Sequence, residues 1–490
     1  MMAQAKVLRD WQVAVLLVLL ALTVRAATFG NPVVGFDEQF YLLVGERMLH
    51  GALPYVDIWD RKPVGLFLVY AFSALIGPDP FLQYKLVAIA FVAATACALY
   101  RMAVRAGAKP GGALVAAALY VLWINLSEGE SGQSPVFYNL PVALAALLVQ
   151  AALYDRTRIL ERGCSAMLLA GIAIQMKYTA LFEGVFLGLA LLRALQLSGR
   201  SVPAILGAAL AWVACGLLPT ALAAAFYWRI GAFDAFVFAN FGSIFGKLPD
   251  PLAARVEGLL TICAILLPLA TVVFVHWRRA GSRRLADLDF AACWLAAAVF
   301  GFAVFGNFLA PGNVLPVIAP LCLCTAAFFS SAPKRKAVAT GLILFSALAG
   351  QLLIGIVAYG KGGRDQAIAV AAAARPEKGC IWVYDGYPAL YMLTKSCLPT
   401  RWVFPGHLNT ANEGTAAAIG VDPLAEVRRI LATRPEVIVD DAPAYHLGNP
   451  QTRAAVQAAL RRDYHLVLRV RTGRARFRMV YRANTAEAPR

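Results

Sequence analysis

Residues 35–65, GFDEQFYLLVGERMLHGALPYVDIWDRKPVG, hold the groups of this chain best suited to chemistry. Adjacent carboxylates, Asp37 and Glu38, follow the first apolar run, and a cationic pair with a proline, Arg61, Lys62 and Pro63, precedes the next. A carboxylate beside a membrane can take the proton of an attacking hydroxyl, and a nearby cation can steady a departing anion. Tyr41, Tyr55, Trp59, Glu46, Asp57 and Asp60 lie between the two groups.

The elements that must position these residues follow from composition. Of 490 residues, 60% are hydrophobic, well above what a water-soluble domain carries. The apolar residues fall into runs of about 17 to 25, the length that crosses a bilayer as a helix. This predicts an all-α polytopic membrane domain. The net charge of +17 is not gathered into one tract. It is split among 101–109, 155–162, 193–200, 276–284 and 333–336, short basic clusters between apolar runs. That is the positive-inside pattern, and it excludes nucleic acid as the partner.

With those clusters and Lys6 and Arg9 inside, the N-terminus is cytoplasmic and the loop after the first run, 11–29, is outside. Further spans are expected at 81–103, 111–126, 138–154, 164–178, 180–196, 203–228, 257–277, 288–306, 313–331 and 337–359, about eleven transmembrane helices in all. The apolar segment 63–76 is too short to cross, and counting it would move every later basic cluster outside. It reads as a juxtamembrane helix at the outer interface, held there by Arg61 and Lys62. The transmembrane domain thus spans 1–360, with a catalytic first outer loop at 30–80.

Past residue 360 the pattern becomes soluble. Strands are expected at 380–384 and 437–440, helices at 388–395, 422–433 and 451–462, and a hairpin over 465–482 turning at Thr472–Gly473. Residues 361–490 therefore read as a small α/β extracytoplasmic domain. Of nine cysteines, Cys380 and Cys397 fall there, where an oxidising compartment permits a disulfide. No cysteine–histidine spacing suits structural zinc.

Two more outer loops carry polar groups. Residues 127–139 supply Glu128, Glu130, Tyr138 and Asn139, with both glutamates expected to be solvated; residues 229–255 supply Asp234, Asn240, Lys247 and Arg255 among aromatics. All three loops are expected on one membrane face. Lys177, near the outer end of a span, either snorkels or helps bind phosphate. A sugar on a polyprenyl phosphate suits such a face: its leaving group needs cations such as Arg61 or Lys62, and the incoming hydroxyl needs a base such as Asp37 or Glu38.

The pattern D-E-x-x-Y (Asp37, Glu38, Tyr41), then G-x-x-P-Y-x-D (Gly51, Pro54, Tyr55, Asp57), then K-P before an apolar segment ending in glycine (Lys62, Pro63, Gly77) resembles the superfamily of protein O-mannosyltransferases and lipid A aminoarabinose transferases. The tail segment VYDGYPALYMLTKSCLPTRWVFPGHL (383–408) is similar to the opening of the outer domain in many bacterial members. The resemblance implies an integral-membrane, C-type glycosyltransferase in a bacterial inner membrane, with a periplasmic C-terminal domain. It implies that Asp37 orients or deprotonates the acceptor with support from Glu38, and that Lys62 contacts donor phosphate. Donors in such a family are polyprenyl-phosphate sugars, transferred with inversion; acceptors include glycolipid, polysaccharide and protein. Three positions depart from the pattern: Val64 follows Pro63, Glu128 and Glu130 come early, and 305–313 has neither histidine nor tyrosine.

The reading is therefore a polyprenyl-phosphate-sugar-dependent glycosyltransferase with candidate catalytic residues Asp37 and Glu38 and phosphate-binding residues Lys62 and Arg61. Tyr41, Tyr55, Asp57, Glu128, Tyr138, Asn139 and Lys177 are its substrate-binding candidates. No cofactor is required; the loop carboxylates leave a divalent metal open. The rival class is a transporter or lipid flippase, for which ionisable residues inside the spans and repeated halves are the expected marks, and neither is evident.

Overall fold

The computed structural model describes residues 8–280, 289–331 and 335–484; Lys6, 281–284 of the fourth basic cluster and 333–334 of the fifth lie outside the described residues. In chain order the first helices are α1 (Asp10–Arg25), α2 (Phe36–Leu49), α3 (Val64–Leu75), α4 (Pro80–Arg105), α5 (Pro110–Trp123), α6 (Ser134–Asp155) and α7 (Ile159–Ile174). There follow α8 (Ala180–Leu197), α9 (Val202–Arg229), α10 (Phe233–Val237), α11 (Leu252–Ala280), α12 (Phe290–Phe305), α13 (Leu315–Ser330) and α14 (Lys336–Lys361). The tail runs α15 (Arg364–Ala373), β1 (Ile381–Val383), α16 (Leu390–Leu393), α17 (Pro405–Asn409), α18 (Ala416–Ile419), α19 (Pro423–Ala432), β2 (Val437–Ala442), α20 (Pro450–Asp463), β3 (Tyr464–Thr472) and β4 (Arg476–Ala483).

A helix occupies each of the predicted spans. Among the described residues, eight helices are long and apolar enough to cross a bilayer, whereas Pro110–Leu126 and Phe290–Phe305 are apolar but shorter. The chain is a multi-pass membrane protein. Leu206, Leu210, Val213 and Leu217 of α9 are exposed, as lipid-facing side chains must be.

The helices and tail fall into two compact units, each drawn from separated stretches. One takes Met1–Phe29, Lys85–Ala223 and Pro251–Ile354. There α13 is the central helix, packed against α5, α6, α11 and α12. Small residues allow such approach: a Cβ on Gly112 would meet the Ala326 carbonyl at 2.8 Å, and one on Gly171 the Gly216 carbonyl at 2.3 Å. Buried ionisable residues do occur in this unit, contrary to the sequence reading. Glu183, 2% exposed, accepts from the Trp294 indole at 2.7 Å, Lys85 donates to the Thr28 carbonyl at 2.7 Å, and Arg25 donates to the carbonyls of Gly129 and Ser131. Each therefore has protein partners, as a charge or carboxyl in a dry interior requires.

The second unit takes Gly30–Tyr84, Ala224–Asp250 and Gly355–Arg490, so the tail shares it with the first and third outer loops. Its sheet has the order β1-β2-β4-β3, with β1 and β2 parallel and the other pairs antiparallel. The expected hairpin is β3–β4, and Cys380 and Cys397 form a disulfide with Cα atoms 5.1 Å apart. Trp382, Tyr384, Trp402, Ile438 and Val456 build the core, and Trp59 of the first loop is buried among them. Tyr387 and Arg478 donate to the Lys361 carbonyl at 2.5 and 3.1 Å, which fastens the sheet to the end of α14, where unpaired carbonyls favour a cation.

In the same unit α3 is only 12 residues long, about 18 Å at 1.5 Å per residue, and the Gly77-Pro78-Asp79-Pro80 run ends it. Leu66, Phe67 and Tyr70 are buried on one face while Leu68, Phe72 and Leu75 are exposed on the other. Such a two-faced, non-spanning helix suits an interface.

Helix α2 begins at Gly35, whose φ of +66° few side chains tolerate, and a Cβ there would lie 2.2 to 2.4 Å from the Glu38 carboxylate. Gly35→Ala is expected to lower the melting temperature and to displace Glu38, at a cost of about 1–3 kcal/mol. A glycine-to-alanine variant with wild-type thermal stability would contradict that placement. Removing both Cys380 and Cys397 should cost about 3 kcal/mol, read as a lower melting temperature that reductant reproduces in the wild type.

Candidate functional site

Asp37 and Glu38 sit in the first turn of α2, where unpaired backbone N–H groups favour negative charge. Gln39 ties that turn down, donating to the carbonyls of Val33 at 3.1 Å and Gly35 at 2.8 Å. Glu38 is 1% exposed, whereas Asp37 is half-buried and accepts from the Tyr41 hydroxyl at 3.3 Å, one helical turn on. Lys62 also meets Tyr41, its Nζ over the ring and 5.8 Å from the centroid. Burial drives the Tyr41 phenol well above its usual range, reinforced by Asp37, Asp60 and Glu38, so it remains a hydrogen donor.

The loop between α2 and α3 holds Lys62 in place by local bonds. Asp57 is exposed and accepts from the Leu53 N–H at 2.8 Å, closing a turn. Tyr55 takes φ of +72°, unusual for a side chain of its size, and its buried hydroxyl donates to the Lys62 carbonyl at 2.8 Å. Its distance to Asn240 Oδ1 is 3.3 Å, and Asn240 itself donates to the Phe236 carbonyl. Tyr55 and Asp57 thus shape the loop, and the third outer loop supports them.

Sequence reading missed three members of this unit. Asp60 is 6% exposed, with Oδ1 2.6 Å from the Arg61 N–H. Burial pushes its carboxyl up to about 6, against the downward pull of Lys62 and Arg61. Glu413 bridges Arg61 and Lys247; against the upward push of burial, those cations hold its carboxyl at about 2. His407 lies with Nε2 4.0 Å from Asp60 Oδ1, and burial, with Arg61, drives its imidazole well below the usual range, so the ring is neutral. Asp60 was visible as an acid beside a cationic pair. Nothing in sequence spacing links Asp60 to residues about 350 positions away.

The remaining candidates belong to the other compact unit, where each has partners. Glu128, at φ of +58°, accepts from the Gly312 N–H at 3.3 Å. Glu130 is 8% exposed, beside Arg25, which corrects the expectation that it is solvated: the loop folds back onto the Arg25 guanidinium. Tyr138 and Asn139 are buried in α6, the first 3.1 Å from Thr179 Oγ1, the second donating to Tyr120 and the Leu315 carbonyl. Lys177 donates to Asn313 at 2.8 Å in a cleft also lined by Thr179, Glu183 and Asn307. Among the described residues no group of three or more histidines, cysteines or carboxylates is arranged to hold a metal ion.

No family model matches the chain, and no curated protein matches it in sequence. Solved structures do match in fold. ArnT from Cupriavidus metallidurans, bound to undecaprenyl phosphate, superposes with a TM-score of 0.61 over 97% of this chain and 99% of its own, at 16% identity. Arabinofuranosyltransferase AftD from Mycobacteria gives 0.54 at 12% identity, over 98% of this chain and 40% of that one. The oligosaccharyltransferase AglB from Archaeoglobus fulgidus, in complex with an inhibitory peptide and a dolichol-phosphate, gives 0.51 at 10% identity, over 88% of this chain and 69% of its own. Nearly the whole chain takes part in these superpositions, and it has the fold of the C-type membrane glycosyltransferases.

Proposed function

We propose that this protein transfers a sugar from a polyprenyl-phosphate donor to an acceptor hydroxyl at the outer face of the membrane. The observation that carries the reading is that Asp37 and Lys62 both meet Tyr41, the carboxylate at its hydroxyl and the ammonium over its ring. A carboxylate and an ammonium so spaced can face opposite ends of one reacting centre. The acceptor oxygen attacks the anomeric carbon and its proton passes to Asp37. The bond from that carbon to the phosphate oxygen breaks, and the electron pair leaves with the prenyl phosphate, whose charge Lys62 meets. Attack opposite the leaving group inverts the anomeric centre. Glu38 supports Asp37 from the same helical turn.

The fold shared with proteins bound to undecaprenyl phosphate or dolichol-phosphate supports the donor class. The sugar is a hexose or pentose and the acceptor a glycolipid, polysaccharide or protein. The N-terminus is cytoplasmic and the C-terminal domain periplasmic, following the basic clusters. A transporter or flippase has less support, because Glu183, Lys85 and Arg25, buried though they are, are held by neighbouring groups of the protein.

Transfer of labelled sugar from polyprenyl-phosphate donors by the purified full-length protein tests the reading. Asp37→Asn should lower kcat by about 100-fold or more with the fold intact, and Lys62→Met should lower kcat/KM by a similar factor. Wild-type rates from either folded variant would remove the assignment.

The rate should also fall with pH. Asp60 faces Lys62, Arg61, Asp37, Tyr41 and His407, and its carboxyl takes up a proton as pH drops through about 6. Below that pH the negative charge beside Lys62 is lost, and the rate is expected to decline with it. In Asp60→Asn this acid limb should vanish from the pH–rate profile; a limb unchanged near pH 6 would assign it elsewhere. For stability the sign is opposite. A carboxyl raised above its unfolded value of about 3.9 destabilises the fold increasingly as pH rises from 4 to 6.

A further inference from the structure

Three consecutive residues of the first outer loop are each met by one short stretch of the tail. The Trp59 N–H donates to the Arg401 carbonyl at 2.9 Å. Asp60 Oδ1 is 4.0 Å from His407 Nε2. The Arg61 guanidinium pairs with Glu413, donating to its carboxylate and, at 3.4 Å, to its carbonyl. The next residue, Lys62, turns to Tyr41. Positions 401, 407 and 413 therefore read positions 59, 60 and 61 in the same order along both strands of chain.

Each contact has a physical reason to be specific. Trp59 is buried in the core of the tail, which fixes the loop at its start. The His407 ring sits edge-on to Trp59 at 4.7 Å and to Phe40 at 5.9 Å, with Phe404 at 5.2 Å. Packing against three aromatic rings restricts how the imidazole can turn. Glu413 collects two cations from different loops, Arg61 and Lys247, which are only 14% and 20% exposed. A carboxylate between two poorly hydrated cations is held far more firmly than a surface ion pair.

We propose that His407 and Glu413 are positioning residues of the transferase site: the soluble tail clamps Trp59, Asp60 and Arg61, and the clamp sets where Lys62 presents its ammonium to the donor phosphate. The proposal rests on the transferase reading above. It makes the tail a working part of the site. Because Glu413 neutralises part of the charge on Arg61 and Lys247, the phosphate meets Lys62 as its first cation. Without Glu413, Arg61 and Lys247 are freed and compete for the phosphate, which binds at least as well but out of line with the acceptor.

That competition gives the test a signature mere destabilisation lacks. In Glu413→Gln, assayed as full-length protein in lipid nanodiscs, kcat should fall by about tenfold or more while the KM for a polyprenyl-phosphate sugar stays level or drops. Glu413→Asp, which keeps the charge, should recover to within about threefold of wild type. His407→Phe keeps the aromatic packing and loses the polar edge facing Asp60; its kcat should fall by about threefold or more, with the acid limb moved to higher pH. Amide exchange across residues 59–66, measured on the same samples without substrate, should quicken by about tenfold in Glu413→Gln.

A Glu413→Gln protein that melts with the wild type, transfers within about twofold of its rate and leaves loop exchange unchanged overturns the clamp. If that variant does not fold, the decision passes to His407→Phe, and wild-type kcat and pH profile there overturn it equally. The two ideas fail separately. A wild-type protein inactive on every polyprenyl-phosphate sugar, whose loop exchange still responds to Glu413→Gln, ends the transferase reading and keeps the clamp. An active wild type whose loop and kcat ignore both variants does the reverse.

Discussion

Charge held away from bulk water is the constraint around which the second compact unit is organised. Asp60 is buried and Arg61, Lys62, Lys247 and Glu413 are partly buried, and each needs a partner, since a charge withdrawn from water without one is costly. Arg61 and Lys247 solve this by sharing Glu413, and Asp60 by taking the Arg61 N–H and the nearby positive field of Lys62. The solution is demanding in geometry. It requires the first loop, the third loop and the tail to be folded together, and the compact unit contains those three stretches.

From that requirement the role of the less reactive residues follows. Tyr55 accepts an unusual backbone conformation so that its hydroxyl can hold the Lys62 carbonyl, and Asp57 closes the turn beside it. Gly35 leaves room for the Glu38 carboxylate at the start of α2. Trp59, a residue of the first loop, is buried in the core of the tail. These residues support the backbone around Asp37, Tyr41 and Lys62, the groups on which the proposed transfer relies.

The carboxylates of this unit sit in unlike surroundings. Asp37 stands at a helix N-terminus, half-exposed, in contact with a phenol. Asp60 is buried and pushed up to about 6 by that burial. Two acids in one site with such different surroundings are suited to different tasks. In the proposed reaction Asp37 is the acid open to an acceptor, and Asp60 sets the field around Lys62. Glu413, held at about 2 by its two cations, keeps its charge across the whole physiological range and so acts as a fixed anchor.

Local pattern was enough for the apolar helices, the short helix after Pro63 and the strands of the tail, because each depends on composition within a window of a few to about twenty residues. Long runs of apolar residues must hide their backbone polar groups in helices, and alternating apolar stretches between turn residues must pair as strands. Partnerships at long range were another matter. That Glu130 would lie under Arg25, that Glu183 would be buried against Trp294, or that His407 and Glu413 would face Asp60 and Arg61 has no signature in spacing. Such pairs answer the requirement that polar and charged groups drawn away from water find partners, and that requirement acts only once the chain has brought distant segments together.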